Sequence, residues 1–306
     1  MAPIPVALGP TQEPLIVAAI EEAGGQLAHL AQARALVWLA GADDFPNPLP
    51  PNIEWVQLRG AGVDPFFASG TIAANRDVVF TSAAGAYSET VAEHALLLLL
   101  AGVRALPRLV AAQHWTREAG AEVGTLRGST VAIVGAGGVG RALIPLLAPL
   151  GAHAVAVSRS GRPVPGAVET FPVSRLDEVW PVADHVVVAA PATPATKHLI
   201  GAAQLERLKP TAWVVNVARG TLVDTDALVD ALERAAIGGA ALDVTDPEPL
   251  PDRHPLWTLP NAIVTPHVAN PEQRFYPALA ERVGRNVAKF GADADLLGRV
   301  DPVAGY

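Results

Sequence analysis

Cysteine is absent from the 306-residue chain. That excludes disulfides, thiolate metal sites and a cysteine nucleophile at once. Histidine is sparse and scattered: none of the eight forms the His-Glu-x-x-His spacing that sets two zinc ligands on one helix face. Lysine occurs only at 197, 209 and 289, and the formal net charge is −8. A general nucleic-acid binder needs a basic surface for phosphates, so that class is set aside, although a few local arginines still suffice for a small anionic substrate. Charged residues make up only 17% and hydrophobic ones 50%, which excludes a disordered polyelectrolyte and allows large buried cores. The mean hydropathy is positive at +0.30. Even so, the densest apolar run, Ala95 to Val103, is about half of what a bilayer-spanning helix needs. No basic segment precedes an apolar one after Met1, so no secretory signal is visible and the sequence reads as cytosolic. No Gly-x-Ser-x-Gly elbow and no glycine followed by Gly-Lys-Ser/Thr occurs, which counts against a serine hydrolase and a kinase-type phosphate loop.

What is present is alternation. Length alone fits two domains or one large single domain. In the first segment, Ile4–Leu8, Ala35–Leu39 and Ile53–Leu58 read as strands, Glu13–Ala23 as a helix, and Asp43–Pro51 as a proline-rich loop. A long helical pattern runs from Ser88 to about Glu118 with its break expected at Pro107. Its stretch Ala95–Leu100 is apolar all round and predicts burial on several sides. It fits a core helix, or a helix at a domain or subunit boundary, equally well. A second series follows, with strands at Thr130–Val134, Ala154–Val157, His185–Ala190, Ala212–Val217, Ala240–Val244 and Ala262–Thr265, and helices between most of them, such as Thr225–Ala235. After Pro271 a last helix runs to Phe290. Strands joined by crossover helices predict an α/β chain with doubly wound parallel sheets.

The strongest local signal is Gly135-Ala136-Gly137-Gly138-Val139-Gly140, which follows the strand Thr130–Val134 and opens a helix. In that context the glycines permit a tight turn, close backbone approach to a pyrophosphate, and helix–strand packing, and the helix start offers free N–H groups to phosphate. The residue that reads the ribose is expected at the end of the next strand. There stand Ser158, Arg159 and, a little further on, Arg162, with no carboxylate. A carboxylate would repel a 2′-phosphate, whereas arginines attract it, so the sequence leans to NADP, with NAD possible. Three more groups follow strand ends: Arg219 after Asn216-Val217-Ala218, Asp243 ahead of Asp246-Pro247-Glu248, and His267 after Thr265-Pro266. An arginine, a carboxylate and a histidine, each just past a parallel strand, can converge in one crevice. Pro145, inside the helix after the glycine loop, is expected to remove a backbone bond and kink that helix.

These stretches resemble the D-isomer-specific 2-hydroxyacid dehydrogenase family over nearly the whole chain. The resemblance is carried by Gly60-Ala61-Gly62-Val63-Asp64, Tyr87 to His94, the glycine loop, Pro191 to Thr196, Asn216 to Gly220, Leu242-Asp243-Val244, Glu248 to Pro251, and Asn261 to His267. It implies a flavodoxin-like substrate domain, residues 1–98 with 274–306 returning to it, around an inserted Rossmann NAD(P)-binding domain, residues 99–273. By resemblance Arg219 holds a 2-oxo acid, His267 is the acid–base, Glu248 hydrogen-bonds to it, and backbone amides of Ala61, Gly62 and Val63 receive the substrate carboxylate. Cofactor contacts carry over to Gly138, Val139, Ser158, Arg159, Pro191, Thr196, Val217 and Asp243, beside Gly135, Gly137 and Gly140. A cytoplasmic homodimer is implied, with the helical segment after Ser88 as a subunit contact.

The residues agree with that chemistry. Charge grows on the carbonyl oxygen as hydride reaches C2; His267 supplies the proton and Arg219 stabilises the alkoxide. The expected activity is NADPH-dependent reduction of a small 2-oxo acid such as glyoxylate or hydroxypyruvate. A phosphoglycerate dehydrogenase without its regulatory domain is one alternative, and a dinucleotide-sensing corepressor-like binding protein is another. Formate-oxidising relatives carry glutamine where Glu248 stands, which counts against them.

Overall fold

The computed structural model describes residues 2–115, 120 and 123–306; the expected helical residues Thr116 to Glu118 lie outside the described residues. The chain divides into two compact units, Met1–Tyr87 with Pro271–Tyr306, and Ser88–Asn270.

In the first unit the strands are β1 (Ile4–Gly9), β2 (Gly25–Leu27), β3 (Ala35–Trp38), β4 (Trp55–Leu58) and β5 (Val79–Thr81). They form one parallel sheet in the order β2-β1-β3-β4-β5, the doubly wound order of flavodoxin-like domains. Helix α1 (Pro14–Glu22) starts on a proline that needs no N–H there, and it packs against the C-terminal helix Glu272–Gly291. Short helices α2 (Asp64–Ala68) and α3 (Thr71–Ala74) follow β4. The C-terminal helix is tied to the sheet by polar groups. Asn286, fully buried, donates from Nδ2 to Gln57 Oε1 at 2.8 Å and to the Leu297 carbonyl at 3.0 Å, and its Oδ1 accepts from Leu297 N–H at 2.8 Å. The same Gln57 oxygen accepts from the Thr81 hydroxyl, which in turn accepts from the Trp55 indole. The four side chains are all inside, so each bond among them replaces one that water would otherwise make.

The second unit begins with α4 (Ser88–Val103) and α5 (Leu106–Ala111). Its strands are β6 (Thr130–Val134), β7 (His153–Ser158), β8 (Glu169–Pro172), β9 (His185–Val188), β10 (Trp213–Asn216), β11 (Gly239–Leu242) and β12 (Ala262–Val264). All are parallel, in the order β12-β11-β10-β9-β6-β7-β8. The order reverses at β6, which makes its carboxyl end the switch point where ligands bind. Helices α6 (Gly138–Leu147), α7 (Ala202–Leu205) and α8 (Thr225–Glu233) complete the unit. Alternate strand residues feed two cores. Val131, Ile133, Val187 and Val215 pack with α4 and α6, while Ala132, Val134, Val186, Val188 and Val214 pack with α8 on the opposite face.

Three expectations are corrected here. The long helix breaks at Ala105, whose φ is +51°, and not at Pro107, which sits in the first turn of α5 where a missing N–H costs nothing. The stretch Ala95–Leu100 is not buried all round: Ala95, Leu98 and Leu99 enter the core, but Leu97 is 56% exposed. Helix α6 runs on past Pro145 to Leu147. Pro145 and Arg141 both lie on its exposed side, where water can take the Arg141 carbonyl that proline leaves without a partner.

Candidate active site

The carboxyl ends of six neighbouring strands of the second unit carry the residues singled out from the sequence. Taken across the sheet they are His267 past β12, Asp243 and Glu248 past β11, Arg219 past β10, Pro191 to Thr196 past β9, the glycine loop past β6, and Ser158, the last residue of β7, with Arg159 beyond it. Five steps of about 4.8 Å make this a continuous edge roughly 24 Å long.

At its centre the glycine loop fits a dinucleotide. Gly135 has φ +102°, and a Cβ there would run into the backbone of Ala190. A Cβ on Gly140 would meet the Gly135 carbonyl at 2.8 Å, whereas one on Gly137 would meet nothing within 4 Å. The first and third glycines are therefore consumed by packing and the middle one faces open space. Helix α6 starts on Gly137 without a side-chain cap, so the N–H groups of Gly138, Val139 and Gly140 remain to bind an anion. Further along, Ser158 Oγ accepts from Gly161 N–H at 3.1 Å, which leaves its O–H as a donor. Arg159 and Arg162 are exposed. On the other side Thr196 Oγ1 donates to the Pro191 carbonyl and accepts from Thr193 N–H, both at 2.8 Å, closing that loop on itself. Val217 is buried. Among the described residues no cluster of His, Asp and Glu could hold a metal ion.

The turn that presents Arg219 is stapled by Asn216. Its buried amide donates to the Arg219 carbonyl at 2.8 Å and accepts from Ala218 N–H at 3.0 Å, and the Arg219 guanidinium donates to the Ala218 carbonyl at 2.7 Å. Beyond β11, Thr225 Oγ1 donates to the Asp246 carbonyl and Thr245 Oγ1 to the Pro247 carbonyl, holding the segment that ends on Glu248. Across from it His267 Nδ1 lies 2.7 Å from Glu248 Oε1, both side chains about half exposed. An ionised carboxylate only accepts, so Nδ1 carries the hydrogen and Nε2 points away from Glu248. His267 has φ +53°, a left-handed conformation that a bulky residue holds only when its neighbours enforce it.

Asp243 is one of those neighbours, a role sequence reasoning missed. Its carboxylate is fully buried and accepts from Thr265 Oγ1 at 2.6 Å and from the N–H groups of Val268 and Ala269 at 3.0 Å; its backbone carbonyl accepts from His267 N–H at 2.8 Å. Burial pushes this carboxyl up, but hydrogen bonds from His94, Thr265 and the two amides outweigh it and hold the group at about 2. In the sequence His94 stands out only as the end of the stretch Tyr87 to His94. The visible hint was a histidine on a helix whose neighbours Ala92, Ala95, Leu98 and Leu99 are all core.

In the first unit, Ala61, Gly62 and Val63 follow β4 and lead into α2. Among the described residues no acceptor stands against their N–H groups.

Comparison with known proteins points to one family. The family model described as "D-isomer specific 2-hydroxyacid dehydrogenase, NAD binding domain" matches residues 94–269. An uncharacterized protein of Corynebacterium melassecola is 41% identical over 293 residues, covering 94% of this chain and 95% of that one. A glyoxylate reductase of Thermofilum pendens is 31% identical over 247 residues, covering 78% and 71%. Among solved structures, the NADPH-dependent glyoxylate/hydroxypyruvate reductase SmGhrA of Sinorhizobium meliloti, in complex with NADP and sulfate, superposes with a TM-score of 0.81 at 28% identity, covering 99% and 100%.

Proposed function

The chain belongs to the D-isomer specific 2-hydroxyacid dehydrogenase family and is an NAD(P)-dependent oxidoreductase; from that premise we propose that it reduces small 2-oxo acids, glyoxylate or hydroxypyruvate, with NADPH. The observation that carries the reading is the 2.7 Å pair of His267 Nδ1 and Glu248 Oε1 on the edge that also bears the glycine loop and Arg219. The bound cofactor supplies the hydride. The chain supplies the rest. Glu248 holds the His267 ring in one tautomer, and Nε2 delivers a proton to the carbonyl oxygen. Arg219 offers a planar fork to the carboxylate and the growing alkoxide.

NADPH is favoured because no carboxylate follows β7, while Ser158 keeps a donor and Arg159 and Arg162 are exposed beside it. Hydrogen bonds between charged groups contribute on the order of 1.5–3 kcal/mol net, roughly 10- to 150-fold in affinity. The same reading makes the protein a homodimer. Leu97 of α4, Leu106 and Val110 of α5, and Trp115 beyond it are 56%, 47%, 71% and 92% exposed. Exposed apolar side chains of this number along one stretch of chain support a subunit contact there. A reaction that consumes reduced dinucleotide belongs where that cofactor is regenerated, in the cytoplasm. No described helix is long and apolar enough to cross a membrane.

The test is a panel of glyoxylate, hydroxypyruvate and 3-phosphohydroxypyruvate assayed with NADPH and NADH. Glyoxylate or hydroxypyruvate should lead, with kcat/KM for NADPH at least about tenfold above NADH and a preference that fades at high salt. Ser158→Asp with Arg159→Ala should reverse the cofactor preference. Equal use of both cofactors by the wild type would remove the phosphate-reading role, and a lead for the phosphorylated acid would move the enzyme to phosphoglycerate oxidation.

A further inference from the structure

His267 can transfer a proton usefully only if its turn is held still, and the turn is held from beneath. Asp243 accepts from Thr265 on one side of His267 and from Val268 and Ala269 on the other. The carboxylate is in turn reached from α4 by His94, whose Nε2 lies 3.1 Å from Thr265 Oγ1 and 3.3 Å from Asp243 Oδ1. The Thr265 hydroxyl spends its only hydrogen on Asp243 at 2.6 Å, so toward His94 it can only accept. Asp243, ionised, can only accept as well. Nε2 of His94 must therefore carry a hydrogen, shared between these two oxygens.

We propose that His94 is a positioning residue for the reaction: its Nε2–H, held by a core helix, locks the Thr265–Asp243 pair and so fixes the left-handed turn that aims His267 at Glu248. The geometry favours this over packing alone. The His94 side chain is only 14% exposed, yet its polar edge meets two oxygens of the turn while its helix neighbours meet apolar side chains. Without that hydrogen the two oxygens lose a buried donor, and Thr265 Oγ1 is free to rotate away from Asp243. The left-handed conformation of His267 then loses part of what enforces it. The inference concerns the same site as the proposed reductase activity and rests on that reading.

The test compares His94→Leu, which removes the donor, with His94→Gln, whose amide nitrogen can stand near the original Nε2. In the leucine variant kcat should fall about 10- to 100-fold, the loss expected when a reacting group drifts by around an ångström, while NADPH affinity stays within about twofold. The glutamine variant should recover to within about threefold of wild type. A second readout needs no turnover: in the free protein, the amides of Val268 and Ala269 should exchange hydrogen at least about tenfold faster in His94→Leu, and at the native rate in His94→Gln. Should His94→Leu fail to fold, Thr265→Val breaks the same link from the other end and is read in the same way. Native kcat and protected amides in the leucine variant, or equal losses in both variants, would overturn the inference. A wild type that reduces no 2-oxo acid defeats the proposed function instead, and the exchange rates then decide the positioning role alone.

Discussion

Each unit contains a buried hydrogen-bond network that joins a helix to a strand, and the two end differently. In the first unit Asn286, Gln57, Thr81 and Trp55 bond to one another and to the chain around Leu297, and all of them are inside. In the second unit His94, Thr265 and Asp243 begin inside, but the network runs outward through Val268 and Ala269 to a half-exposed histidine in a strained conformation. A closed network can only stabilise. An open one can spend its rigidity on holding a reactive group where sterics alone would not leave it. Damage to the first should change stability and leave chemistry intact, and damage at the outer end of the second should do the reverse.

The largest expected effect is at that outer end. His267→Asn keeps a side chain that tolerates the left-handed region, so the turn should survive while the proton carrier is lost. Turnover should fall roughly 100- to 10,000-fold, with cofactor affinity within about threefold and an unchanged melting temperature. Steady-state kinetics, a cofactor titration and a thermal scan decide it, and near-native turnover at every pH would take His267 out of the mechanism.

Next comes the closed network. Asn286→Leu takes a donor from the buried Gln57 Oε1 and the side-chain partner from the half-buried Leu297 N–H and carbonyl, a loss of about 1–3 kcal/mol in all. Denaturant midpoints should drop accordingly, while kcat per folded molecule stays within about twofold. A kinetic defect larger than the stability defect would break the contrast.

A smaller effect separates the units by pH. His185, buried at the start of β9, accepts from Trp213 N–H and is pushed down to about 4, mainly by burial, with Lys209 adding to the shift and Asp184 opposing it. The unfolded chain takes up this proton near 6.5 and the folded one does not, so stability is present above 6.5 and is lost as pH falls toward 4. Between pH 7 and pH 5 that amounts to about 2 kcal/mol. His185→Gln should flatten the slope over that interval, as read from urea midpoints at the two pH values; an unaltered slope would assign the acid sensitivity elsewhere.

Much of this was legible in the sequence. Thr130–Val134 followed by the glycine loop needs nothing beyond local pattern, because the motif states both its strand and the backbone it must offer to phosphate. The C-terminal helix and α8 were likewise visible from their 3.6-residue periodicity. Arg219, Asp243 and His267 stood out because each follows a strand.

Other features were set only by the folded chain. Strands β2, β5 and β8 are three or four residues long, too short for alternation to show, and exist because a longer neighbour offers them a ladder. The helix break at Ala105 and not at Pro107 follows from where α4 ends its packing, since proline tolerates a first turn wherever one begins. His94 and Asp243 show the difference most directly. Their residue types and positions are written in the sequence, but the hydrogen bonds between them span about 150 residues and depend on α4 lying against β11 and β12. Composition and periodicity determined which segments fold and which chemistry the chain carries. Only the tertiary structure decided which buried donor faces which acceptor, because that pairing is settled by the distances left after the cores have packed.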